Sequence, residues 1–361
     1  MPILSAIEAG RAISVRTKRQ DYNTKELNNN IMTIKRNIFA AAMILFAACA
    51  WAQGPNNSGT YYEKADGKKG SALKTALADV INKHTSLSYN SLWEHYKKTD
   101  KRPDGKVWDM YSCTTNFNFD KDRAGNYKKE GDVFNREHSF PKSWFKDAAP
   151  MVTDIMHIVP TDGKVNGMRS NYPFGETKGE KYQSNKGFSK LGKCTSPGYS
   201  GIVFEPNDEY KGDFARIYFY MATCYESKIS SWESDMLSHN KYPAFKDWAL
   251  QLLLKWAKED PVSQKEIDRN NAVYGIQKNR NPFVDYPGLE QYVWGDKKDI
   301  TFSYDNYDKP TIIELPTEER PAFVDVYTVS GMKVKTRVER QSATDGLQHG
   351  IYVVEGKKIV K

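Results

Sequence analysis

The chain has 361 residues, 39% of them hydrophobic and 13% aromatic, with Tyr (22) outnumbering Phe (16) and Trp (8). That content suffices for a packed core and excludes an intrinsically disordered polymer. The net charge is +8, but half of the excess, seven Lys/Arg against three Asp/Glu, falls in residues 1–52; what remains permits a polyanionic partner without requiring one.

In chain order, residues 32–52 read as an export signal. Lys35 and Arg36 precede a 13-residue apolar run, Ile38 to Ala50, and Ala50-Trp51-Ala52 supplies the small residues a signal peptidase needs. The run is shorter than the roughly 20 residues of a membrane span. Met32 reads as the start, cleavage is expected after Ala52, and residues 1–31 are an N-terminal extension. Export allows one disulfide among Cys113, Cys194 and Cys224. No CxxC pair is present to argue for structural zinc.

Apolar spacing predicts helix over residues 72–99, with a break near Thr85-Ser86. Residues 103–131 carry Pro, Gly, Asp and Asn among short apolar stretches, which predicts brief strands and turns. Residues 176–211, rich in Gly, Ser and Lys, are expected to form long loops. Helices are predicted over 213–227, 244–258 and 262–274, the last started by Asp260-Pro261. Composition changes near residue 298. The prolines of 299–323 mark a linker, and the alternating runs of 324–361 mark a small β module. The expected architecture is therefore α+β: a mixed α/β domain over 53–298, the linker, and an all-β C-terminal module.

The chemistry concentrates in two segments, Asn135-Arg-Glu-His-Ser-Phe-Pro141 and His157 to Asn171. The first sets a carboxylate beside an imidazole. The second adds amides, a cation and two glycines. Hydrolysis of a phosphodiester needs a group that takes a proton from water, and His138 is the candidate base. It also needs a cation for the charge developing on phosphoryl and leaving oxygens. Mg²⁺ takes hard oxygen ligands and keeps several waters. One carboxylate and one amide oxygen are a sufficient protein share, and Glu137 and Asn166 supply them. Successive strand residues face opposite sides, so Glu137 and His138 share a site only at a strand end or bend. Pro141 is consistent with such an ending.

The runs NREHSFPKSWF and DIMHIVPTDGKVNGMRSNYPFG closely resemble the bacterial endonuclease I family of secreted and periplasmic nucleases, as does Gln277 to Pro287. The similarity covers roughly residues 70–296. It implies a ββα-metal (His-Me finger) centre inside the mixed domain and cutting of DNA, often also RNA, with little sequence preference. It further implies Mg²⁺ on Glu137 and Asn166 (Mn²⁺ or Ca²⁺ substituting), His138 as general base, and 5′-phosphate products. Some members carry an arginine after the histidine that contacts the cleaved phosphate; residues 139–156 contain none. Arg169 and Arg280 are the candidates for that role, with Arg136 and Lys142 as further phosphate contacts. His157, Asn171 and Asn281 are expected to support the site. Asn166 is equally suited to a helix cap or turn, and Arg280 and Asn281 to holding the last loop on the core. The remaining histidines, His84 among them, read as surface residues.

The tail resembles a C-terminal sorting domain of the type IX secretion system: Val326-Tyr327, Ser330-Gly331, Gly346 to Val354 and the basic end at Lys357, Lys358 and Lys361. That implies export through the periplasm to the medium or cell surface by the type IX machinery. The chain is expected to be a monomer without a stable membrane span. The competing reading is a non-catalytic extracellular nucleic-acid binder or adhesin on a nuclease-like fold; a pure binder has no use for a base beside a metal ligand.

Overall fold

The computed structural model describes residues 55–305, residue 307 and most of 323–360. The export signal, its cleavage point and most of the linker lie outside the described residues. The chain divides into two compact units, one ending at Pro310 and one starting at Thr311.

The first unit opens with α1 (Gly70–Ile81) and α2 (Leu92–Thr99). The break between them spans 82–91, wider than the spacing suggested. Leu73, Leu77 and Ile81 make the buried stripe of α1, and the apolar periodicity ends there. Residues 103–131 contain no named strand. Polar side chains satisfy their backbone instead: Asp109 accepts from Tyr111 N–H (2.8 Å) and Ser112 N–H (3.3 Å), and Asp132 from Lys128 N–H (2.8 Å) and Lys129 N–H (3.0 Å).

Strand β1 (Phe134–His138) pairs antiparallel with β2 (Ile158–Asp162), Glu137 opposite Val159 and His138 opposite Ile158. Both are edge strands of a two-stranded sheet, the setting that admits Pro160. The chain passes straight from β2 into α3 (Gly163–Arg169). Asp162 caps α3 by accepting from Val165 N–H (2.9 Å). The Tyr127 ring lies so close to α3 that a Cβ at Gly163 or Gly167 would strike it.

Residues 176–211 are not all loop. β3 (Tyr182–Gln183), β4 (Lys190–Lys193) and β5 (Ile202–Glu205) form an antiparallel sheet in that order. The strands are two to four residues long, so they leave little alternation to read. α4 (Lys211–Cys224) is buried along its whole length. It packs against α1, against α5 (Asp247–Glu259) and against α7 (Pro282–Asp285). α6 (Gln264–Gln277) begins with a full Ser263/Glu266 capping box, and α8 (Leu289–Val293) closes the unit. One apolar cluster runs through the unit from Tyr62 to Phe302.

The second unit is a four-stranded antiparallel sheet ordered β7-β6-β8-β9, from β6 (Phe323–Thr328), β7 (Lys333–Glu339), β8 (Ile351–Val354) and β9 (Lys357–Val360). Its buried set is Val324, Val326, Ala343 and Val354. Among the described residues no helix is long and apolar enough to cross a membrane. Cys113, Cys194 and Cys224 are all free thiols, so the expected disulfide is absent among them.

Candidate active site

His138 is the last residue of β1, and the chain turns away at Ser139. The Ser139 N–H and hydroxyl both donate to the His157 carbonyl, at 3.2 and 2.7 Å. Ending the strand there relaxes the alternation of side chains. Glu137 and His138 therefore line one cleft of about 370 Å³, and Asn166, on α3, lines it with them.

Each of the three presents a free atom. The Glu137 Oε1 accepts from the Tyr111 hydroxyl (2.8 Å) and the Arg169 guanidinium (2.5 Å); its Oε2 has no hydrogen-bond partner among the described residues. Burial pushes this carboxyl up to about 7, against the pull of Arg169 and Tyr111. A cation at Oε2 would favour the ionised form. The Asn166 amide nitrogen donates to Asn135 Oδ1 (2.6 Å), and the side-chain Oδ1 of Asn166 has no hydrogen-bond partner among the described residues. One carboxylate and one amide oxygen, both hard and both facing the cleft, fit a divalent cation of the magnesium class.

The His138 Nε2 lies 3.2 Å from the Val152 carbonyl. A carbonyl only accepts, so Nε2 carries the hydrogen and Nδ1 keeps its lone pair. Nδ1 has no partner among the described residues. Burial pushes the imidazole down to about 3, so it is neutral in neutral solution. Its ring lies nearly parallel to that of Tyr89, centroids 6.0 Å apart.

The endonuclease I family model matches residues 69–288, which span all three residues and the core around them. The chain belongs to the endonuclease I family. It is an endonuclease. Among its relatives, the extracellular ribonuclease of Bacillus amyloliquefaciens is 38% identical over 243 residues, 65% of this chain and 78% of the relative. The extracellular ribonuclease of Bacillus subtilis is 36% identical over 241 residues, again 65% and 78%. A periplasmic deoxyribonuclease of Aeromonas hydrophila is 26% identical over 137 residues, 37% of this chain and 48% of the relative.

In this endonuclease I the two arginines singled out for phosphate are turned inward. Arg169 is fully buried and donates to Glu137, to the carbonyls of His138 (2.9 Å) and Ser139 (2.6 Å), and to the Tyr218 hydroxyl (3.4 Å). It holds the end of β1 rather than a substrate. Arg280 is equally committed, both of its bonds to Asp285 measuring 2.6 Å. Its whole segment is an internal lock. Gln277 donates to Asp154 (2.7 Å) and Asn279 to the Ile81 carbonyl (2.9 Å). Asn281 donates to the Arg216 carbonyl (3.1 Å) and caps α7.

Arg136 does line the cleft. Its guanidinium sits 3.6 Å from the centroid of Tyr89 and 4.4 Å from that of Trp93, and Nη1 donates to the Tyr89 carbonyl (2.7 Å). The Nε and Nη2 donors have no partner among the described residues. Lys142 is exposed at the cleft wall and paired with Asp147. His157 is wholly buried, its Nε2 donating to the Met151 carbonyl (2.7 Å), a supporting role. Asn171 is exposed at the cleft edge and donates to the Ser143 hydroxyl (3.3 Å).

His84 is not a surface side chain. Its ring is shielded, with Nε2 3.0 Å from the Tyr225 hydroxyl, and with Asp154 and Cys224 it forms a group of metal-ligand atom types within 4.8 Å of one another. Asp154 Oδ2 already accepts from Tyr220 (2.8 Å) and Tyr225 (2.7 Å), so hydroxyl groups fill that space.

Four positioning side chains escaped the sequence reading: Tyr111, Tyr218, Tyr89 and Arg269. Arg269 donates to the carbonyls of Ile155 (2.7 Å), Met156 (3.0 Å) and Ile158 (3.2 Å), which fixes the entry to β2. All four lie far along the chain from the groups they hold, where no local spacing marks them. Asn135 lies inside the first motif and was within reach.

Proposed function

We propose that this chain is a secreted, metal-dependent endonuclease that hydrolyses phosphodiester bonds of DNA, and of RNA, with little regard for sequence. The observation that carries the reading is the convergence on one cleft of an unpartnered imidazole nitrogen, an unpartnered carboxylate oxygen and an unpartnered amide oxygen. The names of relatives from both nuclease classes support the breadth of substrate.

Glu137 and Asn166 would hold a divalent cation, which when bound would supply positive charge for the phosphoryl and leaving oxygens. The His138 Nδ1 takes a proton from the attacking water. Its Nε2–H, tied to Val152, keeps the ring in the tautomer that can do so and steadies the imidazolium formed. The free Nε and Nη2 of Arg136 grip a phosphate oxygen pair, and Lys142 adds charge at the wall. Arg169 and Tyr111 hold Glu137 in line. The 3′ oxygen leaves, so the products carry 5′-phosphates. The ββα-metal arrangement is supported by the chain order β1, β2, α3, with the base ending β1 and the amide on α3. The tail over 324–361 serves type IX export in this reading, and the four-stranded sheet is compatible with a sorting module.

The test is nicking and linearisation of a supercoiled plasmid with Mg²⁺, with and without chelator, for the parent and His138→Ala. A protein that binds DNA without ever cutting it in Mg²⁺, Mn²⁺ or Ca²⁺ overturns the proposal.

A further inference from the structure

Beside the cleft lies a second concavity of about 610 Å³, and Ser143 and Asn171 line both. The amide of Asn171 donates to the Ser143 hydroxyl (3.3 Å), so the two residues form a low bridge between the spaces. A strand that continued from the cleft past Ser143 and Asn171 would enter this second space. The volume suits one nucleoside, well inside the range of small-ligand sites.

The lining has a definite chemistry. Tyr172 and Tyr199 offer aromatic surface. Tyr199 is fixed by near-parallel stacking on Trp248, centroids 4.4 Å apart at 6°. Its hydroxyl donates to Asp235 Oδ2 (2.7 Å), which orients that carboxylate and leaves Oδ1 without a partner among the described residues. Glu233 stands alongside, 3.9 Å from the His239 ring. Two carboxylates line the space against one lysine, Lys246, and that acidic excess disfavours a phosphate there. Carboxylates accept from exocyclic amino groups, the pairing that Glu and Asp make with cytosine N4, whereas the lone ring N–H of thymine or uracil stands between two carbonyl oxygens that repel a carboxylate. Aromatic faces beside such acceptors are how unpaired bases are held.

The geometry points to a nucleobase subsite beside the catalytic cleft. It takes an unpaired base bearing an exocyclic amino group, read by Asp235 and Glu233 and packed against Tyr172 and Tyr199. Thymine and uracil, with no amino donor, bind it less well. This inference rests on the nuclease reading of the cleft and adds a preference at one position flanking the cut. The catalytic triad itself reads no base.

The experiment cuts a randomised single-stranded DNA pool and sequences the new ends, for the parent and for the Glu233→Ala, Asp235→Ala double variant, which removes both acceptors. Preference is taken as a ratio within one reaction, so overall rate does not enter. The parent should favour A, C and G over T at one position near the cut by about threefold to tenfold, the scale of one charged hydrogen bond at an open site. The double variant should show a flat profile there. Tyr199→Phe, which frees Asp235 from its orienting hydroxyl, should give an intermediate ratio. A flat profile for the parent, or a preference that survives in the double variant, removes the subsite while the nuclease assignment stands. A parent that cuts nothing with any divalent ion sinks both, and the two failures are told apart by that result alone.

Discussion

Replacing Arg169 separates a structural from a substrate-binding role. Its side chain is fully buried and faces a Glu137 that is itself only 3% exposed. Arg169→Met leaves that carboxyl without its cation and strips donors from the His138 and Ser139 carbonyls. Breaking a buried pair in this way costs about 3–5 kcal/mol. For a domain of this size each kcal/mol moves Tm by roughly 2–4 °C, so a fall of roughly 6–20 °C is expected by scanning calorimetry. The second arm is Glu137→Gln in the Arg169→Met background. Neutralising the stranded carboxyl should restore part of the loss, so the double variant melts above Arg169→Met alone. The two changes are then strongly non-additive, as contacting residues are. A Tm within about 1 °C of the parent together with a raised KM for DNA would refute the reasoning and return Arg169 to the substrate.

His138→Ala should lower kcat by about 10²–10⁴-fold, since it removes the base, with Tm changed far less than in Arg169→Met; plasmid cleavage and calorimetry on one preparation check both. Arg136→Ala should weaken DNA binding similarly for all sequences and reduce the slope of log K against log salt by about one, measured by fluorescence anisotropy in Ca²⁺. Burial holds His157 and His138 below their ordinary values, so each subtracts stability as pH falls through about 6.5, while buried Glu137, raised to about 7, binds a proton more readily folded than unfolded and adds stability over the same range. The His138 share reaches about 2 kcal/mol at pH 5. The His157 share is read by difference: in urea melts at pH 7.5 and pH 5, His157→Gln should shift in the stabilising direction relative to the parent as pH falls.

Helices were legible within a few residues: α1, α4 and α5 stand close to where apolar spacing put them, and α6 close to where the Asp260-Pro261 start signal put it. The β3-β4-β5 sheet was not, because strands of two to four residues set among Gly, Ser and Lys are too short to show alternation. Glu137, His138 and Asn166 could be singled out because polar groups are crowded into two short runs, and the structure brings the three to one cleft. The roles of the arginines were not, for a charge in a sequence has no direction. Arg169 sits on a seven-residue helix whose Asn166 faces the cleft. Three positions further along, its side chain enters the core, where Glu137 and two carbonyls meet its charge. Local order thus determined which groups are available for the chemistry proposed above. Only tertiary packing decided which of the cations were consumed in holding that site together and which, like Arg136, kept donors free, because burial is a property of the folded neighbourhood and not of the residue.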